Sequence, residues 1–188
     1  ALQIAEGAAN EISSILQRMR ELAVQSSSDT LTSTERSYTN QEFGNLEDEI
    51  DRIASVTNYN GLKLLSHDAN DRFGKGDNSS ALWIDANGTR NVDSITVTIN
   101  TLTTGANGLD ISALTISNAG GAVSSISALD AAINSVNSVR SDIGAFINRL
   151  EHAVNNLMIS ETNQAAAESM IRDVDFAHET AEFTKNQI

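Results

Sequence analysis

The 188-residue chain carries 12 basic and 25 acidic side chains, for a net charge of −13, and has neither cysteine nor proline. So acidic a chain argues against nucleic acid and anionic membranes as partners, since both demand positive surface. Without cysteine there is neither a disulfide framework nor a thiolate metal site, and without proline long helices can run unbroken.

Residues 1 to 28 read as the first helix, ending in the polar cluster Ser26-Ser27-Ser28-Asp29. Its apolar residues Ile12, Ile15, Leu16, Met19, Leu22 and Ala23 stand three and four residues apart (12/15/19/22 and 12/16/19/23), one stripe of an α-helix. Gln17, Arg18, Arg20, Glu21 and Gln25 lie between them and must point elsewhere. A second helix is predicted from Thr32, where Thr32-Ser33-Thr34-Glu35 fits a capping box. Its stripe is Phe43, Leu46, Ile50 and Ile53, and Asn58-Tyr59-Asn60-Gly61 ends it with a strong turn signal. The spacing gives two antiparallel helices joined by a short loop.

Between Leu62 and Gly121 the pattern changes, with more glycine and short alternating runs. Ser94–Ile99 is a clean period-two strand, Ala81–Ile84 a second, and Leu109–Ile111 and Leu114–Ile116 are weaker. A hairpin is expected near Asn107-Gly108. Helix returns near Val123 and is expected to run to the end. Leu129, Ile133, Val136, Arg140, Ile143, Ile147, Leu150, Val154, Leu157 and Glu161 alternate steps of four and three, a heptad seam with Arg140 and Glu161 as polar intrusions. A helix of roughly 60 residues would span about 90 Å, and the first two helices can lie along it side by side or end to end. The predicted fold class is mainly α: an elongated rod of long antiparallel, coiled-coil-like helices with a small β-hairpin region inserted between its N- and C-terminal helical parts.

Enzymatic signatures are missing. The histidines at 67, 152 and 178 have no second ligand at helical spacing and read as solvated surface residues. Asp68–Gly74 faintly resembles a calcium loop, but Phe73 stands at the glycine position and Ser79 at that of the final glutamate, so it reads as a polar turn. Gly74-Lys75-Gly76 lacks the rest of a P-loop, and no G-x-S-x-G elbow exists. Asn78-Ser79-Ser80 and Asn87-Gly88-Thr89 match glycosylation sequons, which are common by chance. The Glu47/Asp51 pair reads as a solvated helix face with i,i+4 partners nearby. No run of about 18 apolar residues marks a membrane span, and neither metal nor cofactor is expected. Surfaces, then, are expected to carry the function.

Four blocks of sequence resemble bacterial flagellin: Leu16-Gln17-Arg18-Met19-Arg20-Glu21-Leu22-Ala23-Val24-Gln25, Glu49-Ile50-Asp51-Arg52-Ile53, Asn58-Tyr59-Asn60-Gly61-Leu62-Lys63-Leu64-Leu65, and Glu168-Ser169-Met170-Ile171-Arg172-Asp173-Val174-Asp175-Phe176-Ala177. They follow the family's order, with Met170 where the family usually has arginine. The resemblance implies an N-terminal helical part of the core domain at 1–65, a short variable region with strands at 66–122, and a C-terminal long helix at 123–188. It implies a structural subunit, exported and stacked with other flagellin subunits into the extracellular filament, and not an enzyme. The start at Ala1, without a methionine or signal-like region, suits a core-domain fragment lacking the polymerising terminal segments, through which export chaperones would bind. The resemblance further implies a ligand for the innate immune Toll-like receptor 5. Receptor contact would fall on Arg18, Leu22 and Glu42, with Gln17, Glu21, Gln25 and Glu11 around them. Arg18 would anchor, Leu22 would fill a small apolar contact, and Glu42 would fix register. A hook-filament junction or accessory protein of the same assembly is the alternative.

Overall fold

The computed structural model describes residues 1–66, 73, 79–84, 94–172 and 176–188. Their elements are α1 (Leu2–Ser27), α2 (Ser33–Val56), β1 (Asn58–Tyr59), β2 (Leu62–Lys63), β3 (Ser79–Trp83), β4 (Ser94–Thr98), α3 (Ala119–Arg172) and α4 (Phe176–Gln187). The architecture is mainly helical with two small antiparallel hairpins. The chain divides into two compact units, Ala1–Asn148 and Arg149–Ile188.

In the first unit α1 buries Leu2, Ala5, Ala9, Ile12, Leu16, Met19, Leu22 and Ala23. This is the predicted stripe extended nearly three turns toward the N-terminus, with Ile15 half-buried at its margin. Burying one stripe against other helices supplies most of a helix's stability. The C-terminal end of α1 has no basic residue of its own. Arg36 of α2 closes it instead, donating from Nε to the Ser26 carbonyl at 2.9 Å and from Nη2 to the Ser28 carbonyl at 2.7 Å. These bonds satisfy carbonyls that the helix leaves open, and they fix the turn between α1 and α2.

The predicted capping box of α2 is formed. Thr32 Oγ1 accepts from the Glu35 N–H at 3.3 Å, and the Thr32 N–H donates to Glu35 Oε2 at 2.7 Å. Those bonds, from the Thr32 backbone first and its hydroxyl second, hold the Glu35 carboxyl below its ordinary pKa. The stabilisation this brings is present above the ordinary glutamate value and is lost as pH falls through the lower folded-state value. Thr32→Ala is expected to cost about 1 kcal/mol of unfolding free energy, read as a lowered urea midpoint, with the deficit shrinking in acid. A deficit that is constant with pH would remove the bond from the Thr32 hydroxyl to the Glu35 carboxylate, 2.8 Å, from this account.

Asn58 pairs with Lys63 and Tyr59 with Leu62. Between them Asn60 and Gly61 take φ of 53° and 79°, the left-handed pair that a two-residue type I′ turn requires. The β3–β4 hairpin runs in register from Ser79↔Thr98 to Trp83↔Ser94. Ile95, Val97 and Ile99 turn inward, as alternation dictates.

The hairpin expected near Asn107-Gly108 does not form. The Gly108 and Asp110 amides both donate to the Gly105 carbonyl (2.8 and 3.1 Å), the Leu109 amide to Thr103, and the Ile111 amide to Thr104. Neither Leu109–Ile111 nor Leu114–Ile116 is a strand, although Leu109, Ile111 and Ile116 are buried. Their alternation marks burial, while the backbone bonds close locally. The next helix starts at Ala119, four residues before the expected Val123, because Asn118 Oδ1 accepts from the Gly121 N–H at 2.7 Å. A Cβ at Gly121 would lie 2.7 Å from the Thr115 carbonyl oxygen, which explains a glycine in this first turn.

Within this unit α3 buries Leu129, Val136 and Ile143 of the predicted seam, joined by Ala122, Ser125, Ala132 and Val139. Arg20 pairs with Asp130 at 2.6 Å and Glu6 with Arg140 at 3.2 Å. As the α1 number falls the α3 number rises, so α1 and this part of α3 are antiparallel. Arg140, the polar intrusion, is thus partnered at Nη2, while its Nε is buried without a hydrogen bond.

The second unit holds the remainder of α3 together with α4. Here the seam is not covered: Leu150 is half-buried, whereas Val154, Leu157 and Glu161 are exposed. The heptad pattern continues although burial of it does not. His152 is exposed. The calcium-like loop (apart from Phe73), His67, and Asn78 and Asn87 of the two sequons lie outside the described residues, as does the His178 side chain.

Candidate functional site

On α1 the residues Glu11, Arg18, Glu21 and Gln25 are spaced by seven, three and four, and so share one helix face. All four are exposed, as is Gln17 at the edge of that face. Arg18 organises it. Its Nε and Nη2 both donate to Glu42 Oε1 on α2, at 3.0 and 2.7 Å, and its Nη1 donates to Glu21 Oε2 at 3.2 Å. These hydrogen bonds, Glu42's before Glu21's, raise the already high pKa of the guanidinium, which therefore stays charged. Exposed ion pairs of this kind contribute little to stability. Their effect is to hold a planar cation at one place on the surface, spanning α1 and α2.

Leu22 departs from the expected arrangement. It follows Arg18 by one turn but is only 1% exposed, a member of the buried stripe. The helix has 3.6 residues per turn, so a step of four rotates the side chain by about 40°, enough to carry it from the rim into the core. The small apolar contact expected of Leu22 is therefore absent from the surface, and the face around Arg18 is polar.

Three features escaped sequence reasoning. Arg20, one residue from the stripe, faces Asp130 of α3. Asn40 accepts from both Thr115 Oγ1 (3.0 Å) and the Ile116 N–H (2.8 Å) through Oδ1. Most consequentially, the Glu47/Asp51 pair is not the solvated face it resembled. Both are half-buried. Asp51 accepts from the Thr104 N–H and the Thr104 hydroxyl, each at 2.8 Å, holding the irregular segment against α2. Burial first, then the charges of Asp51 and Asp48, push the Glu47 pKa up. No local signal marks Asp51, since its partner lies 53 residues away. Among the described residues no group of histidines and carboxylates gathers as a metal site, and no helix is long and apolar enough to cross a membrane.

Comparison with known proteins agrees with this architecture. The family model described as the bacterial flagellin N-terminal helical region matches residues 1–70, and that for the bacterial flagellin C-terminal helical region matches 126–188. The flagellar filament 33 kDa core protein of Treponema phagedenis is 38% identical over 192 residues, covering 100% of this chain and 66% of that protein. Flagellin of Bacillus subtilis is 37% identical over 215 residues, covering 100% of this chain and 68% of its own length. The crystal structure of Bacillus cereus flagellin superposes with a TM-score of 0.68 at 30% identity, over 88% of this chain and 89% of that one. The chain spans about two thirds of the length of the curated relatives it matches, 66% for the Treponema phagedenis protein.

Proposed function

This chain belongs to the bacterial flagellin family, and we propose that it is part of a structural subunit of the extracellular flagellar filament, whose helical core also serves as a ligand for Toll-like receptor 5. The observation that carries the first half is α1 lying antiparallel to α3 within one unit that also holds α2, tied by Arg20–Asp130 and Glu6–Arg140. A subunit of this kind needs a polar outer face for its neighbours, and α1 supplies one. The helical parts 1–65 and 123–188 flank the variable region 66–122, and other flagellin subunits and export chaperones are its partners. Deleting the gene in its native host and labelling the full protein with immunogold tests this. Loss of filaments and label along their length support it. Label confined to a ring at the hook would establish the junction protein instead.

The receptor reading rests on the fixed guanidinium of Arg18. Glu11, Gln17, Glu21 and Gln25 surround it, Glu42 holds its orientation, and Leu22 supports the helix from beneath. Arg18→Ala is expected to weaken binding to the receptor ectodomain at least about tenfold, while leaving the urea midpoint of unfolding nearly unchanged. Glu42→Ala is expected to give a smaller loss of the same kind, whereas Leu22→Ala acts through the midpoint. Undiminished binding by Arg18→Ala would sink this assignment.

A further inference from the structure

We propose that Asn60–Gly61, at the tip of the β1–β2 hairpin, is a site of spontaneous deamidation through a succinimide, and that Asn107–Gly108 is protected from the same reaction. Asn-Gly pairs react because glycine has no side chain to shield its amide nitrogen. The Gly61 nitrogen, losing its proton to solvent hydroxide, attacks Asn60 Cγ. The N–Cγ bond forms, the Cγ–Nδ2 bond breaks, and ammonia leaves with a proton from water. Water then opens the five-membered ring at either carbonyl, giving aspartate or isoaspartate at position 60. The net change exchanges NH for O, and solvent is the only co-reactant.

The two pairs share this chemistry but differ in what surrounds the nucleophile. Asn60 and Gly61 are both exposed, and nothing lies within 4 Å of where a Gly61 Cβ would stand. Only two residue pairs join β1 to β2, so rotating the Asn60 backbone into attack geometry disturbs little. At Gly108 the amide already donates to the Gly105 carbonyl at 2.8 Å. The Thr103 carbonyl oxygen would lie 2.1 Å from a Cβ there, so the backbone is crowded on that side as well. Attack by Gly108 would require breaking that hydrogen bond and lifting the Gly105–Leu109 turn.

Isoaspartate would lengthen the main chain by one methylene inside a two-residue turn, and either product would place a carboxylate beside the exposed Tyr59 and Leu62. The intact protein is incubated for weeks at mildly alkaline and mildly acidic pH, digested, and mapped by mass spectrometry, with isoaspartate identified by methyltransferase labelling. Conversion at 60 is expected about tenfold faster than at 107, the factor carried by one net hydrogen bond and its closure. It should also rise with pH and yield both products, and Asn60→Gln should abolish it. Equal or faster conversion at 107, no conversion at either, or aspartate without isoaspartate would overturn the proposal.

Discussion

Replacing Phe43 with alanine is expected to lower the unfolding free energy of the Ala1–Asn148 unit by about 3–5 kcal/mol. Phe43 is 1% exposed and the bulkiest of the fully buried side chains. It matters beyond its size because α2 fully buries only Phe43, Ile50 and Ala54, with Leu46 and Ile53 of its stripe half-buried, so few large side chains supply the apolar hold on this helix. Deleting the ring removes both its transfer free energy and its packing contacts, and slender helices carrying small residues have little bulk with which to refill the space. Urea titration followed by circular dichroism should show the midpoint falling with an unchanged slope. Tyr38→Ala, at a site on the same helix that is 68% exposed, should stay within about 0.5 kcal/mol of the parent. Similar losses in both variants would mean that α2 is not fastened where the burial pattern places it.

Replacing Asp51 with alanine is expected to cost about 2–3 kcal/mol, a large effect for a carboxylate on a helix that sequence alone reads as solvated. Two hydrogen bonds to a charged acceptor are lost, and the N–H of the buried Thr104 is left without a partner in a place water reaches poorly. Asp51→Asn, which keeps one carbonyl acceptor, should fall between. The same substitutions alter the acid behaviour of Glu47. Its folded-state pKa is raised by burial and by its acidic neighbours, so its protonation favours the folded state. That contribution is fully present below the unfolded value and is lost as pH rises through the folded one. Without the Asp51 charge the Glu47 titration should move down toward the ordinary glutamate range, though not all the way, since burial is the larger cause. Carboxyl NMR shifts across that range test this. An unmoved Glu47 titration in Asp51→Ala would show that the two groups do not share a field.

Much of this fold is legible residue by residue. The Thr32–Glu35 capping box, the Asn60-Gly61 turn and the α1 stripe each depend on neighbours within a few positions, and local spacing encodes them completely. The motifs around Arg18, Asn58 and Glu168 likewise placed the family. Reading failed where one pattern has two structural outcomes. The apolar alternation at Leu109–Ile111 and Leu114–Ile116 reports burial truthfully but not strand pairing. Leu22 lies close enough to Arg18 in sequence to share its face, and far enough in rotation to belong to the core.

The sequence by itself determined the long helices, the α2 cap, the Asn60-Gly61 turn, the Ser94–Thr98 strand and the buried stripe of α1, because each of these is set by contacts within one or two turns of chain. Tertiary structure alone decided which polar side chains meet across elements. Arg18 finds Glu42 across 24 residues, Asp51 finds Thr104 across 53, and Arg20 finds Asp130 across 110. The reason is geometric. A long polar side chain on an exposed helix face has many partners open to it, and only the rotation and register of packed helices bring one of them within about 3 Å.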